Sequence, residues 1–470
     1  QPEIDARIVD LLILYLDDPD YRFRANDALI RMGRRAIPHL HRQLTRKRSN
    51  KEQQKHVGVA VRENILKCIG EIADPRSVSV VSTLLLRQPI RVEDAAITAL
   101  AALHRNIESP ELVEQSFTPE VLEQVRRSYG TILLKITRDR RHIRELEHIQ
   151  KYQAPALLVD TLGRATHRRE ELALQLLELL AEPATVRAAA AGLHSRDRRS
   201  KAEAIELLEG SGNEAAALAS LLEQELEGGD DLDWDDEDED RREIHEILID
   251  LLITKQHAWF EACLAYCIGE LRLLGFDAFL REMARDPAPL IKNNAIVALE
   301  KLDAGSSSNR GAGGRRKRGR KEVEQMAIDM ERILFLRSVP LFADIDGNDL
   351  QWINEITREK KFKSGQTVFR ENDVGDSLYI IIKGSVRVLK GENQVILEIL
   401  EERETFGEMS ILDQEPRSAT VEVQKDATLL AIKRDDFQRL LLARPQLAFS
   451  LFRTISRRLR EAVTRFTASH

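Results

Sequence analysis

The sequence predicts a multidomain chain in which an all-α solenoid precedes an α+β domain, a small β-sandwich or jelly roll with flanking helices. Apolar residues recur at helical spacing from the start of the chain, and the helical segments repeat. After Lys361 the pattern changes to short period-2 strands separated by glycine turns. We therefore predict an α-solenoid over 1–303, a linker over 304–322 and a second domain over 323–470.

Length and composition fit such a chain. The 470 residues allow roughly three folding units, and 43% of the residues are hydrophobic and 32% charged. No apolar run approaches the roughly 18 residues that span a bilayer, and nothing resembles a targeting peptide. The net charge of −7 argues against a general nucleic-acid binder. Three cysteines without a CxxC pair fit a reducing cytoplasm without a zinc site.

The helical part repeats a two-helix plan. Asp18 to Leu44 reads as a loop, a helix, a turn at Gly33 and a second helix, and Val61 to Leu85 repeats this order. Within the repeat, Asn26 corresponds to Asn64. A spacing of roughly 30 to 40 residues per helix pair is typical of an α-solenoid. The DPD-x-x-R-x-x-A-x-x-A-L pattern with its glycine turn resembles HEAT repeats, which implies a docking scaffold and leaves its partner open.

Two charged segments interrupt these patterns. The acidic run at 227–242 lacks the central glycine and closing glutamate of an EF-hand, and we predict a solvated loop without metal. The basic segment at 304–322 begins with glycine and serine, and we predict a flexible linker. Such a linker could bind an anionic membrane surface or a nucleic acid.

The second domain begins with an amphipathic helix at Val323–Leu336 and ends with two helices near 435–442 and 445–466. Between them lie the predicted strands: Thr367–Phe369, Leu378–Lys383, Ser385–Leu389, Val395–Leu400, Ala419–Val423 and Thr428–Ile432. The last helix carries an apolar stripe, which predicts packing against the sandwich or a lid over a ligand. The stripe consists of Phe452, Ile455, Leu459 and Val463.

The segment Phe406 to Val421, FGEMSILDQEPRSATV, carries the chemistry. Gly407 permits a tight turn, and the residues after Glu408 can form one helical turn whose free N–H groups attract an anion. Arg417 opens the next strand, and its guanidinium can grip two phosphate oxygens, with Ser418 adding a hydroxyl. Glu408 beside an anion pocket is favourable when it accepts a hydrogen bond from a hydroxyl. These residues together indicate a small phosphorylated ribose.

This segment resembles the phosphate-binding cassette of cyclic-nucleotide-binding domains. The opening LRSVPLFADI and the hairpin GDSLYIIIKGSVRVL resemble the same family. The resemblance implies that Arg417 binds the cyclic phosphate and that Glu408 binds the ribose 2′-hydroxyl. The remaining residues of the predicted ligand site are Phe406, Gly407, Met409, Ser410, Ser418, Ala419 and Thr420. Ser418, where a threonine would favour guanine, implies cyclic AMP, with cyclic GMP as the alternative.

We therefore expect a cytoplasmic, non-enzymatic sensor of cyclic AMP, in which ligand binding moves helices and the solenoid docks a protein partner. No kinase, protease or P-loop signature is present in the sequence, and no catalytic or metal-ligating residue is predicted. Two alternatives stay open. One is a regulatory tail excised from a membrane nucleotide transporter, which would account for a chain that starts at Gln1. The other is a nucleic-acid-binding solenoid with an accessory sensor.

Overall fold

The structure, a computed structural model, describes most of the chain in segments. The chain divides into two compact units, Gln1–Phe260 and Glu261–His470. The described residues are 2–18, 21–45, 58–86, 90–147, 153–195, 197–226, 237–253, 258–306, 329–342, 345, 347–391, 393–443, 447–448, 451–453, 455–456 and 460. Most of the predicted acidic loop and of the basic linker lies outside these residues, and the predicted domain boundary stays a prediction.

The described part of the first unit is helical, apart from its connections. Its helices are α1 (Pro2–Tyr15), α2 (Arg22–Met32), α3 (Ile37–Thr45), α4 (Val59–Ile72), α5 (Ser77–Ser82), α6 (Ile90–Asn106), α7 (Pro110–Ser116), α8 (Pro119–Glu147), α9 (Gln153–Leu177), α10 (Pro183–Leu193), α11 (Arg198–Glu209), α12 (Asn213–Leu226) and α13 (Glu237–Ile253). Because α13 begins at Glu237, the end of the predicted 227–242 loop is helical, and acidic residues suit a helix N-terminus.

Helices that are close in the sequence pack together in the first unit. Contacts join α8 to α9, α4 to α6 and α10 to α11, and a single apolar cluster extends from Val9 to Leu222. The equivalent residues Asn26 and Asn64 of the predicted repeat are hydrogen bonded to each other, with Nδ2 of Asn26 3.0 Å from Oδ1 of Asn64. Packing between successive helix pairs agrees with a repeat architecture, while the HEAT assignment stays a hypothesis.

The second unit begins within α14 (Ala258–Glu270) and continues through α15 (Asp277–Met283) and α16 (Pro289–Ser306). Gly269 of α14 lies against Ala298 of α16, so closely that a Cβ at Gly269 would be 2.8 Å from the Cα of Ala298. Residues 329–338 form α17, which overlaps the end of the predicted 323–336 helix, and Gly347–Ile356 form α18. The helices α15 and α18 were not predicted from the sequence.

An antiparallel sheet of six described strands follows. The strands are β1 (Arg358–Phe362), β2 (Thr367–Phe369), β3 (Ser377–Lys390), β4 (Val395–Leu400), β5 (Thr405–Phe406) and β6 (Thr420–Lys433). The long strands β3 and β6 pair with each other along most of their length. β1 and β2 pair with different parts of β6, and β4 and β5 with different parts of β3.

The apolar core of this sheet draws on both halves of the long strands. Tyr379 and Ile381 from the first half of β3 share one cluster with Val386 from the second half. Leu378 and Ile380, which point to the opposite face by strand alternation, are buried as well. At these positions of β3 both faces of the sheet are therefore covered, and the β-sandwich itself stays a prediction.

The predicted strands are largely present, and their joining is the main difference. The strands expected at 378–383 and 385–389 form one strand, β3, whose register shifts around Gly384, and those expected at 419–423 and 428–432 form β6. A register irregularity allows a strand to continue through a glycine that reads as a turn in the sequence. The short helix α19 (Met409–Leu412) and α20 (Arg434–Ala443) agree with the predicted positions. Among the described helices, none is both long and apolar enough to cross a bilayer.

Candidate functional site

The predicted site residues lie on three consecutive elements of the second unit. Phe406 ends β5, Gly407 forms a turn, and Glu408 precedes α19. Gly407 has φ +81°, which a residue with a side chain adopts at a cost in strain. A Cβ at Gly407 would also lie 2.6 Å from Nη1 of Arg417. Glycine is therefore required here both for the turn and for the close approach of the arginine.

The Arg417 side chain is buried against the turn, with only 3% of the residue exposed. Nη1 donates to the main-chain oxygen of Gly407 at 2.9 Å, and Nη2 donates to that of Ser377 at 2.7 Å. The guanidinium carbon lies 4.1 Å from the centroid of the Phe369 ring, a cation–π contact. The main-chain N–H of Arg417 donates to the oxygen of Asp373 at 2.8 Å. These contacts fix the position of the Arg417 side chain.

The charge of Arg417 is not balanced by a direct ion pair. Among the described residues, no carboxylate lies within salt-bridge distance of its guanidinium, and its buried Nε has no hydrogen-bond acceptor. Burial lowers the pKa of the guanidinium from its usual value, and the nearby charge of Arg434 lowers it further, while Tyr379, Asp376 and Asp373 raise it. A buried cation of this kind is a favourable partner for an anion that completes its hydrogen bonds.

Glu408 and Ser410 are buried on either side of the exposed Met409. Glu408 is 5% exposed, and its main-chain oxygen accepts the first hydrogen bonds of α19, from Ile411 and Leu412. Removing an ionised carboxylate from water is costly unless polar groups contact it. A carboxylate as buried as that of Glu408 is suited to accept a hydrogen bond from a specific hydroxyl group rather than to be solvated at the surface.

Ser418 and Thr420 occupy different environments. Ser418 is exposed, and its Oγ lies 3.9 Å from the sulfur of Met409, so the two ends of the cassette approach each other at the surface. Thr420 is half-buried, and its Oγ1 accepts a hydrogen bond from the N–H of Glu371 at 3.0 Å. Thr420 thus holds the neighbouring loop, a structural role that its place in the motif did not indicate.

The other two predicted residues contribute chiefly to the core. Ala419 is buried immediately before β6, and Phe406 is buried with its ring stacked on Tyr379 at a centroid distance of 5.2 Å. The ring centroids of Phe369 and Phe406 are 5.9 Å apart, and Phe369 is the ring of this aromatic cluster that contacts the Arg417 guanidinium. The structure therefore brings all the predicted segments together, with the side chain of Phe406 acting as support.

Several residues that shape the site were not predicted. Ser377 supplies an acceptor for Arg417, and Gly375 packs so closely that a Cβ there would lie 3.0 Å from Nε of Arg417 and 2.4 Å from Cβ of Ser410. Arg434, at the start of α20, donates through Nη2 to the main-chain oxygens of Gly375 and Ser410. The Gly-Asp-Ser start of the β3 segment is the one sequence signal that could have identified the first two.

Comparison with known proteins agrees with this geometry. Residues 359–444 match the family model described as "Cyclic nucleotide-binding domain". The C-terminal part of the chain is a cyclic nucleotide-binding domain. The match begins at the second residue of β1 and ends one residue after the end of α20, and it includes Glu408 and Arg417.

Three relatives illustrate how varied the proteins with this domain are. The chain is 32% identical over 130 residues to the cyclic AMP receptor protein of Thermus thermophilus and 31% identical over 107 residues to a cAMP-dependent protein kinase regulatory subunit of Hypocrea atroviridis. It is also 32% identical over 117 residues to a cyclic nucleotide-gated potassium channel of Rhizobium etli. These matches cover 27%, 23% and 25% of this chain, and 60%, 23% and 32% of the respective relatives. The similarity thus supports cyclic-nucleotide sensing and leaves the remainder of each protein unmatched.

Proposed function

We propose that this chain is a cyclic AMP sensor whose ligand binds between Gly407 and Arg417. The observation that carries the proposal is the burial of Arg417 without a carboxylate partner among the described residues. A cyclic phosphate would supply the missing negative charge and accept hydrogen bonds from the guanidinium. The names of the Thermus and Hypocrea relatives, both of which refer to cyclic AMP, support the same ligand.

In this proposal each charged residue has one task. Arg417 binds the phosphate, and the energy gained offsets the desolvation of its buried guanidinium. Glu408 accepts a hydrogen bond from the ribose 2′-hydroxyl through its buried carboxylate. The main-chain groups of Gly407, Met409, Ser410 and Ala419 line the space between them. Ser418, exposed beside Met409, contacts the purine side and leaves cyclic GMP as the competing ligand.

Binding would be transmitted to α20 through the site's own hydrogen bonds. Arg434 is the first residue of α20, and it donates a hydrogen bond to the main chain of α19. A displacement of α19 would therefore change the hydrogen bond that connects it to α20. A ligand shifts such an equilibrium only by its difference in affinity between two states. The proposed output is a change in the helices after β6, which would alter how the chain binds a protein partner.

The helical first unit is proposed as a HEAT-like docking scaffold. Its successive helix packing and the contact between Asn26 and Asn64 support a repeat architecture, which commonly presents an extended binding surface. The proposed sensor has no catalytic activity of its own and acts in the cytoplasm. The sequence offers no nucleophile or general-base motif on which a reaction could be based.

The decisive experiment is a calorimetric titration of the full chain with cyclic AMP and with cyclic GMP. We expect saturable binding, with cyclic AMP preferred, that the Arg417→Ala variant loses. The matched control is Arg370→Ala, which removes an exposed arginine of the same domain. Absence of binding by the wild-type chain, or equal binding by Arg417→Ala, would contradict the proposal.

A second candidate, the regulatory part of a membrane protein, is favoured by the similarity to the Rhizobium potassium channel. It predicts the same ligand and a different partner. Cross-linking in cells, followed by identification of the captured protein, separates the two: a membrane channel or transporter supports the second candidate, and its absence supports a free sensor.

A further inference from the structure

Three potential metal ligands converge on the surface of the first unit, away from the nucleotide-binding motif in the chain. His167 and Glu171 lie one turn apart on α9, and His194 follows the last residue of α10. Their ligand atoms all lie within 4.8 Å of one another. Two imidazoles and one carboxylate are a donor set that binds zinc.

The atoms that face one another are the ones a metal would use. Nε2 of His167 is 3.7 Å from Oε1 of Glu171, and Nε2 of His194 is 4.0 Å from the same oxygen. Ligand atoms bound tetrahedrally to zinc at about 2.0–2.1 Å are about 3.3–3.4 Å apart. These two separations exceed that spacing by about 0.3 to 0.7 Å, and all three ligand atoms lie within 4.8 Å of one another. Because both histidines are exposed, rotation of their side chains can bring the three atoms to metal-binding distances.

The surroundings of the cluster orient two of the three ligands. Nδ1 of His194 donates to the main-chain oxygen of Ala190 at 2.6 Å, so Nε2, which faces Glu171, is the ring nitrogen available to a metal. A hydrogen bond from the second ring nitrogen is the usual device that fixes a metal-binding histidine. Arg168 donates to Oε2 of Glu171 at 3.0 Å, which leaves Oε1 facing the histidines.

The position of the cluster at the end of a helix also favours the binding of a cation, and its exposure to solvent limits the affinity for a metal ion. His194 caps the C-terminus of α10, where the partial negative charge of the helix lies. Arg168 nearby opposes the binding of a cation. Three protein ligands at a solvent-exposed position leave room for water as the fourth ligand, an arrangement found in zinc sites that are not purely structural.

We propose that His167, Glu171 and His194 form a divalent metal site, selective for zinc over magnesium and calcium, that connects α9 to α10. Imidazole ligands favour zinc and its transition-metal neighbours, whereas magnesium and calcium prefer sets of oxygen ligands. The bound ion would join the end of α10 to the middle of α9 and so hold two successive helices of the scaffold in a fixed relation.

The test is a calorimetric titration of the full chain with zinc chloride, compared with a His167→Ala/His194→Ala double variant. Wild type should bind one zinc ion with micromolar affinity. Removing outer-shell partners of a metal site costs about 10- to 100-fold in affinity, so removing two ligands should cost at least that much. His245→Ala is the matched control, since it removes a half-buried histidine from another helix. Arg417→Ala should bind zinc normally, which keeps this result independent of the nucleotide site.

Three results would overturn the proposal: no zinc binding in the micromolar range, equal binding by the double variant, or an equal response to magnesium or calcium. Hydrogen exchange provides the second readout. Zinc should slow amide exchange around residues 190–195 in wild type and leave it unchanged in the double variant, whereas unchanged exchange in zinc-bound wild type would refute a connection between α9 and α10.

Discussion

Nη2 of Arg434 donates to the main-chain oxygen of Ser410 at 3.0 Å. Ser410 belongs to the four-residue helix α19 of the nucleotide-binding segment, and Arg434 is the first residue of α20. The same Nη2 also donates to the oxygen of Gly375 at the approach to β3. One side chain therefore connects α19, the start of β3 and the helix that follows the sheet.

Replacing Arg434 by Ala should separate ligand binding from its transmission to α20. The hydrogen bond to Ser410 is removed, while Arg417 and Glu408 remain in place. We expect the affinity for cyclic AMP to change by less than about tenfold, which corresponds to roughly 1.4 kcal/mol. The ligand-induced change in hydrogen exchange over residues 434–443, measured by mass spectrometry, should disappear. Arg439→Ala, which removes an exposed arginine of the same helix, is the control; an unchanged exchange response in Arg434→Ala would refute this role.

Replacing Arg417 by Ala should reduce the affinity for cyclic AMP by about 30- to 150-fold, the equivalent of about 2–3 kcal/mol for a lost charge-assisted hydrogen bond to a phosphate. Arg417→Lys should recover only part of this loss, because a lysine cannot form the two parallel hydrogen bonds of a guanidinium. Calorimetry measures both. Full affinity in the lysine variant would show that charge alone suffices and would contradict a two-point contact.

Replacing Glu408 by Gln should weaken the discrimination between cyclic AMP and its 2′-deoxy analogue. Wild type should prefer cyclic AMP because the carboxylate of Glu408 accepts a hydrogen bond from the 2′-hydroxyl, a hydrogen bond to a charged group worth about 1.5–3 kcal/mol. The four affinities from two proteins and two ligands form a double-mutant cycle. A coupling energy near zero would show that Glu408 does not contact the ribose.

Replacing Gly375 by Ala should impair nucleotide binding without removing a charged group. The added methyl would lie 2.4 Å from Cβ of Ser410, closer than carbon atoms approach, so α19 or β3 must shift. We expect a loss of affinity together with a destabilisation of about 1–3 kcal/mol, as for other overpacking changes. Gly163→Ala is the control, because a methyl in the middle of α9 meets no atom within 4 Å and improves helix propensity. Unchanged binding and stability in Gly375→Ala would contradict the packing described above.

Replacing Asp74 by Asn should lower the stability of the first unit at neutral pH. The buried Asp74 carboxylate accepts hydrogen bonds from Nε of Arg76 at 3.0 Å and from its Nη2 at 2.7 Å, and these bonds lower the pKa of Asp74. Because the folded pKa lies below the unfolded value of about 3.9, the contribution is present above that value and is lost as the pH falls through the folded pKa. We expect a cost of about 1–2 kcal/mol at pH 7 that vanishes in acid. Urea unfolding of wild type and Asp74→Asn at pH 7 and at pH 3 measures this cost. An equal difference in the free energy of unfolding between the two proteins at both pH values would refute the ionic origin.

The sequence by itself determined the identity of the nucleotide-binding segment. Gly407, Glu408 and Arg417 lie within eleven consecutive residues, and turn, helix and strand preferences act over such short distances. Local patterns likewise indicated α19, α20 and the apolar strands that became β3 and β6. The same local signals could not show that two predicted strands continue through a glycine, since only pairing with a partner strand decides where a strand ends.

The tertiary structure decided what surrounds the arginine. The ring of Phe369 lies against Arg417, and Ser377 accepts a hydrogen bond from it, because β2, β3 and β6 pair in one sheet, which brings together residues up to 48 positions apart. The cluster of His167, Glu171 and His194 likewise depends on how α10 packs against α9, and no sequence motif indicated it. Contacts of this kind arise from the burial of apolar faces against one another, a property of the whole folded chain rather than of any short segment.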